Sequence, residues 1–171
     1  VTLYNIYETL TKVNPDGSVT PLLAESWEVS PDLRTYTFKL RKGVKFQNGE
    51  PFNAQAVKFS FDRAGGEKST NKDKRTFASL TTQVVDEHTV VLLAKEIDPD
   101  FLFLMGQATA IIVDAKSADS NATKPVGTGP YMVDQFERNA FVRLKANPDY
   151  WGGKPAFGTV VFKFVPDATS R

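Results

Sequence analysis

Cysteine is absent from the 171-residue sequence, and histidine occurs once, at His88. The first absence removes disulfides, thiolate metal sites, thiol nucleophiles and iron–sulfur clusters together. With one imidazole and no thiolate, a transition-metal centre would have to rest on carboxylates, which suit harder ions. An excess of charge of one sign is also lacking: 21 basic residues face 20 acidic ones, net +1. The densest basic stretch, Lys68, Lys72, Lys74 and Arg75, is diluted by Glu67 and Asp73. A nucleic-acid partner needs a clustered basic footprint, so none is expected. Long hydrophobic runs are missing too, and nothing approaches the roughly 18–20 apolar residues of a membrane span. Internal repeats and low-complexity segments are likewise not found.

What is present is an ordinary globular composition, 41% hydrophobic and 24% charged. That balance excludes a disordered, collagenous or coiled-coil chain. The length suits one domain, or one domain with a small annex, and is enough to bury a core without covalent staples. The ends carry their own reading. Val1 opens the sequence with no initiator Met and no charged leader, as in a processed or excised chain. Asp167 and Thr169 are good helix caps, so residues 167–171 read as a helix beginning.

Hydrophobic spacing organises the rest. Leu3, Ile6, Tyr7 and Leu10 recur at helical intervals, predicting a helix over residues 1–10. A helical turn is expected at 21–24. Residues 26–30 alternate, the turn at 31–34 follows, and 35–41 alternate strictly, with Tyr36, Phe38 and Leu40 on one face. That is a half-buried antiparallel hairpin, with Trp27 in its core. Residues 44–46 extend as a short strand, and Asn48-Gly49 is a tight turn. Asn53 caps a helix through Ala64, ended by Gly65-Gly66. A mobile polar loop at 67–74 precedes a short helical piece with Phe77 and Leu80. A second hairpin joins 81–85 to 89–94. Pro99 opens a helix at 100–106, residues 110–113 form a buried strand, and Asp114 caps a helix at 115–118. Strands at 131–136, 141–146 and 160–165 complete the pattern. The fold class is α+β: mixed, mainly antiparallel hairpins with several short helices.

Individual residues point to structure more than to chemistry. His88 lies in a hairpin turn with no orienting partner or nucleophile in local reach. Asp98 and Asp100 flank Pro99 where capping and helix-dipole complementarity account for them. Gly127-Thr-Gly129 lacks the lysine and following helix of a phosphate loop, and reads as a tight backbone passage into a strand. Tyr150-Trp151 reads as a pair of rings covering a sheet edge. No nucleophile elbow, metal motif or dinucleotide fingerprint occurs.

Six segments in order carry a resemblance. They are Val19-Thr-Pro-Leu-Leu-Ala-Glu-Ser-Trp27, the stretch from Asp32 through Thr35-Tyr-Thr-Phe-Lys-Leu-Arg-Lys-Gly-Val-Lys-Phe46, Asn48-Gly-Glu-Pro-Phe52, Gly127-Thr-Gly-Pro-Tyr131, Asn147-Pro-Asp-Tyr-Trp-Gly-Gly-Lys-Pro155 and Pro166-Asp-Ala-Thr-Ser-Arg171. Together the chain resembles extracellular solute-binding protein family 5, the dipeptide-, oligopeptide- and nickel-binding receptors of ABC importers. The resemblance implies a partial lobe of a periplasmic-binding-protein-like class II fold. It implies residues 1–23 and 125–171 in the first lobe, 24–124 in an additional subdomain, and the second lobe absent from this chain. It also implies an excised N-terminal portion of a solute-capture protein for peptides or a related small solute. Such a protein is not an enzyme and needs no cofactor. Its partners would be a small solute and ABC permease subunits, with no nucleic acid. It would lie in the periplasm or outside the cell, meeting the membrane only through a possible lipid anchor outside this chain.

The site residues implied are Phe77, where some relatives place a ligand-facing aromatic; Ala110, where some carry a basic residue; and Thr128 and Gly129 in the passage returning toward the cleft. No catalytic or metal residue is implied. Two other readings fit the residues: a stand-alone β-rich extracellular interaction or carbohydrate-binding module, and a hydrolase using Asp98, Asp100 or Asp134.

Overall fold

Tyr36, Phe38 and Leu40 decide where the largest sheet faces. Each is at most 4% exposed, while Lys39 between them points to water, as period-two alternation requires. In the computed structural model, which describes residues 2–166, these residues lie on β4 (Thr35–Leu40). It is one of two inner strands of an antiparallel sheet of order β3-β4-β6-β5. The neighbours are β3 (Ala24–Val29), β5 (Leu80–Asp86) and β6 (Thr89–Ala94). Phe38 stands opposite Val90 and Tyr36 opposite Leu92, so apolar pairs run across the buried face.

That face is covered mainly by α1's successor in the chain, the helix α2 (Ala54–Gly65), after α1 (Leu3–Ile6). Asn53 caps α2 as its sequence suggests, its side-chain oxygen accepting from the Ala56 amide at 3.2 Å. Ala54, Val57 and Phe61 are buried. Phe61 meets Phe77 of α3 (Lys74–Ser79) with ring centroids 5.2 Å apart. A Cβ on Gly65 would stand 2.5 Å from the Ala78 nitrogen, so this glycine permits close approach of α3. Tyr36 stacks at 4.1 Å on Phe101 of α4 (Phe101–Leu104).

A small ladder, β1 (Thr11–Val13) with β2 (Val19–Pro21), joins the same hydrophobic cluster through Leu10 and Leu23. A second cluster gathers Ile6, Tyr7, Val113, Ala118, Tyr131 and Leu144. It underlies an antiparallel sheet of order β7-β8-β9, formed by Tyr131–Glu137, Phe141–Ala146 and Thr159–Lys163. Gln47 ties the two regions. Its side-chain amide donates to the Tyr131 carbonyl at 2.7 Å and the Gly129 carbonyl at 3.2 Å, and its side-chain oxygen accepts from the Gly127 amide.

Several local expectations change. The first helix stops at Ile6; Tyr7 turns extended and Leu10 accepts from the Leu22 and Ala24 amides. The helical turn expected at 21–24 does not form: Pro21 ends β2, which pairs with β1, residues 22–23 bend, and Ala24 begins β3. Ala110, Ile112 and Val113 are buried and Ile111 half-buried, but residues 110–113 join no ladder: a 3₁₀ turn, Ala108–Ala110, leads into an extended stretch. Residues 44–46 make only the bridge Lys45–Pro51. The helix expected at 115–118 is replaced by turns and a 3₁₀ turn at Ala118–Ser120, with Asp114 accepting from the Ser117 amide as a cap would. The helix expected at 100–106 is one turn. The loop at 67–74 is tied down, Asn71 donating to the Thr109 carbonyl and Thr109 to Asp73. Trp27 is half-buried against Phe38 rather than enclosed. The caps read at Asp167 and Thr169 lie outside the described residues.

Candidate functional site

Glu8 leaves α1 in an extended conformation because its carbonyl accepts from the Ile112 amide at 2.9 Å, while the Thr9 carbonyl accepts from Leu23. This drives the Glu8 carboxyl inward, where the residue is 4% exposed. A buried carboxylate is costly unless hydrogen-bonded. Here three neutral groups donate to it, each at 2.8 Å: Tyr150 Oη to one oxygen, and Thr128 Oγ1 and Trp151 Nε1 to the other. Arg41 lies beyond, its guanidinium 4.5 Å from the Trp151 ring centroid and its Nε donating to the Leu22 carbonyl. Cation and carboxylate therefore meet the same indole, one at its face and one at its N–H.

The electrostatics follow from burial. Loss of water raises the Glu8 pKa above its ordinary value; the bonds from Trp151, Tyr150 and Thr128, and the charge of Arg41, offset only part of this. Burial and then the neighbouring Glu8 charge push the Tyr150 phenol well above its usual range. The Tyr7 phenol is pushed up to about 12, chiefly by burial.

Beside this carboxylate runs a groove of about 450 Å³, lined in part by Tyr4, Tyr7, Glu8, Lys12, Gln107 and Tyr150. Its size is that of a small-molecule site, and its lining is mainly apolar, with Val13, Leu22 and Pro130 beside the phenol rings, the Gln107 amide and the Lys12 ammonium. Among the described residues no group of three or more His, Cys, Asp or Glu side chains could hold a metal ion. A larger space, about 680 Å³, opens between the end of α2 and residues 108–111, rimmed by Arg63, Lys68 and Asp119. It lacks the convergence of buried polar groups seen around Glu8.

The four sequence-derived site residues are all buried or backbone-packed, and none of their side chains lines the groove. Phe77 packs on Phe61, and Ala110 is fully enclosed in the larger core. Thr128 supports the groove through Glu8. Gly129 donates its amide to the Ile6 carbonyl and accepts from Asn147 Nδ2. The Tyr150-Trp151 pair, expected to cover a sheet edge, instead supplies two of the three donors to Glu8. Glu8 and Arg41 escaped sequence reasoning, since their partners lie up to 143 residues away. The available signal was the doublet itself: buried Tyr and Trp carry an O–H and an N–H that need an acceptor. Asp98 accepts from the Asp100 amide at the start of α4, and Asp134 pairs with Arg143 at 2.6 Å; neither belongs to the groove.

Comparison with known proteins gives this geometry a context. Residues 18–171 match the family described as bacterial extracellular solute-binding proteins, family 5 Middle. The nickel-binding periplasmic protein of Escherichia coli K12 is 34% identical, over 97% of this chain and 33% of its own length. The dipeptide-binding protein of the same organism is 35% identical, over 90% of this chain and 34% of its own. The solved structure of the PBP AgaA from A. tumefaciens R10, in complex with agropinic acid, superposes with a TM-score of 0.89 at 30% identity. It covers 99% of this chain and 35% of that one. The chain thus spans about a third of the length of the proteins it matches. Its mixed, mostly antiparallel fold is part of the class II periplasmic-binding-protein architecture.

Proposed function

Because the chain belongs to the bacterial extracellular solute-binding proteins of family 5, we propose that it is the N-terminal portion of the solute-capturing receptor of an ABC importer. The receptor acts outside the cytoplasmic membrane, performs no reaction, and delivers a peptide or related small solute to permease subunits. Residues 1–23 and 125–171 belong to its first lobe and 24–124 to an additional subdomain; the second lobe lies in the part of the receptor that this chain does not include. The separate sheets β3-β4-β6-β5, within residues 24–94, and β7-β8-β9, within residues 131–163, are in keeping with this division.

The observation that carries the reading is the groove beside Glu8, which offers one wall of a cleft. A second lobe closing on that wall would sequester the solute and signal the permease. Thr128 and Gly129 support the wall from behind, while Phe77 and Ala110 hold the subdomain core. Peptide is preferred because the groove sets phenol rings, the Gln107 amide and the Lys12 ammonium among apolar side chains, groups that match the carboxyl terminus, amides and side chains of a short peptide. The names of relatives, nickel-binding and dipeptide-binding, and the agropinic acid held by AgaA set the alternatives.

Calorimetry decides the matter. The 171-residue chain and the full-length receptor are each titrated with the dipeptide Met-Leu, a nickel salt and agropinic acid. The full-length receptor is expected to bind the dipeptide, and the isolated chain at least about tenfold more weakly, because the wall a second lobe would supply is missing. Equal affinities for both forms would sink the two-lobe reading.

A further inference from the structure

Four segments remote in sequence meet at one carboxyl group. Glu8 comes from the N-terminal segment, Arg41 from the end of β4, Thr128 from the passage before β7, and Tyr150 and Trp151 from the turn after β8. The backbone of that turn is held by local bonds, the Tyr150 amide to the Asn147 carbonyl and the Asp149 amide to Asn147 Oδ1, and by Asn147, whose amide donates to the Pro130 carbonyl and whose Nδ2 donates to the Gly129 carbonyl; none of these bonds reaches the Tyr150 phenol or the Trp151 indole N–H. Tyr150 nevertheless forms a wall of the groove. Something must fix the phenol against free rotation.

We propose that Glu8 is the positioning residue of the groove: it fixes Tyr150 and Trp151 against the N-terminal segment, so that the wall is formed before solute arrives. The proposal rests on the reading of the groove as part of a solute cleft.

The geometry explains how. Each donor is a terminal polar atom of a rigid or short side chain, so three bonds to one carboxyl determine where both rings lie. Trp151 is gripped twice, at its N–H by Glu8 and on its face by Arg41. Arg41 is itself anchored to the Leu22 carbonyl, in the bend between β2 and β3. A wall ordered in advance spares the solute the entropy of ordering it. The arrangement also depends on shape and hydrogen bonding more than on charge. In Glu8→Gln the amide oxygen can still accept from Thr128 and Trp151, and its NH₂ can donate to the Tyr150 oxygen. Glu8→Ala removes all three partners.

The test pairs a solute-independent readout with an affinity. Indole N–H resonances are recorded on the ¹⁵N-labelled 171-residue chain as wild type, Glu8→Gln and Glu8→Ala, with Trp27→Phe identifying the Trp151 signal. The same Glu8 variants of the full-length receptor are titrated with Met-Leu. Glu8→Gln is expected to keep the Trp151 resonance dispersed and the affinity within about threefold, and Glu8→Ala to move the resonance to the free-indole position and weaken binding about tenfold. An unmoved resonance in Glu8→Ala overturns the proposal, as does a moved resonance with unchanged affinity. If Glu8→Ala does not fold, Tyr150→Phe, which deletes one donor, replaces it and must weaken binding while Trp151 stays in place. If the wild-type receptor does not bind Met-Leu, the peptide reading falls, and the resonance arm alone decides whether Glu8 holds the two rings.

Discussion

Glu8 holds a proton more readily in the folded chain than its ordinary value of 4.5 allows, because burial outweighs the bonds it accepts. Between that value and the raised one, the folded state binds more protons than the unfolded state. The stability linked to this group is therefore fully present below the unfolded pKa and is lost as pH rises through the folded one. Asp114 behaves oppositely. Burial raises its pKa, but the bonds from Asn48, Ser117 and the Lys116 and Ser117 amides outweigh it and hold the carboxyl below its usual range. Its contribution is lost as pH falls. Glu8→Gln leaves Asp114 untouched, so the difference between wild type and variant isolates Glu8. Urea midpoints from about pH 4 to about pH 8 should show wild type losing ground to Glu8→Gln as pH rises, then levelling. A pH-independent difference would refute the raised pKa.

At the scale of elements, the passage at 127–129 shows why glycine stands where it does. Neither Gly127 nor Gly129 has the positive φ found at Gly17, Gly43, Gly49 and Gly153. What each needs is room: a Cβ on Gly127 would sit 2.0 Å from the Ile6 carbonyl oxygen, and one on Gly129 2.7 Å from the Asn5 oxygen. The obstacle is backbone, which cannot swing aside. Gly127→Ala should cost about 3 kcal/mol in chemical denaturation, at the upper end of overpacking. Gly158→Ala, where nothing lies within 4 Å, should stay within about 0.5 kcal/mol. Equal effects would mean that the passage relaxes. The hairpins at 24–40 and 80–94 were legible because alternation is a local signal. Residues 7–10 and 110–113 were not, because their conformations follow from the bonds that join them, Ile112 amide to Glu8 carbonyl among them.

On the scale of the whole molecule, the β7-β8-β9 sheet presents an incomplete face. One end covers Ile6, Tyr7 and Leu144, but Phe136 is 63% exposed and Phe164 57%. Phe136 stands opposite Val142, which stands opposite Phe162, so the apolar row continues past the core that shields it. Exposed rings in such a row favour association. The isolated 171-residue chain should show a sedimentation coefficient that rises with concentration, and Phe136→Ser with Phe164→Ser should suppress the rise. A concentration-independent monomer in both forms would show that the face is tolerated in water.

The sequence by itself determined the composition class, the antiparallel hairpins, the Asn53 cap and the family, because those rest on periodicity, short-range capping and ordered motifs. Tertiary structure alone decided the site. It ended the first helix at Ile6, turned Glu8 inward, and made a packing doublet, Tyr150-Trp151, into donors for a buried carboxyl. The physical reason is that a buried charge must find its partners wherever the fold brings them. Here they come from positions 128, 150 and 151, and no local pattern around Glu8 encodes them.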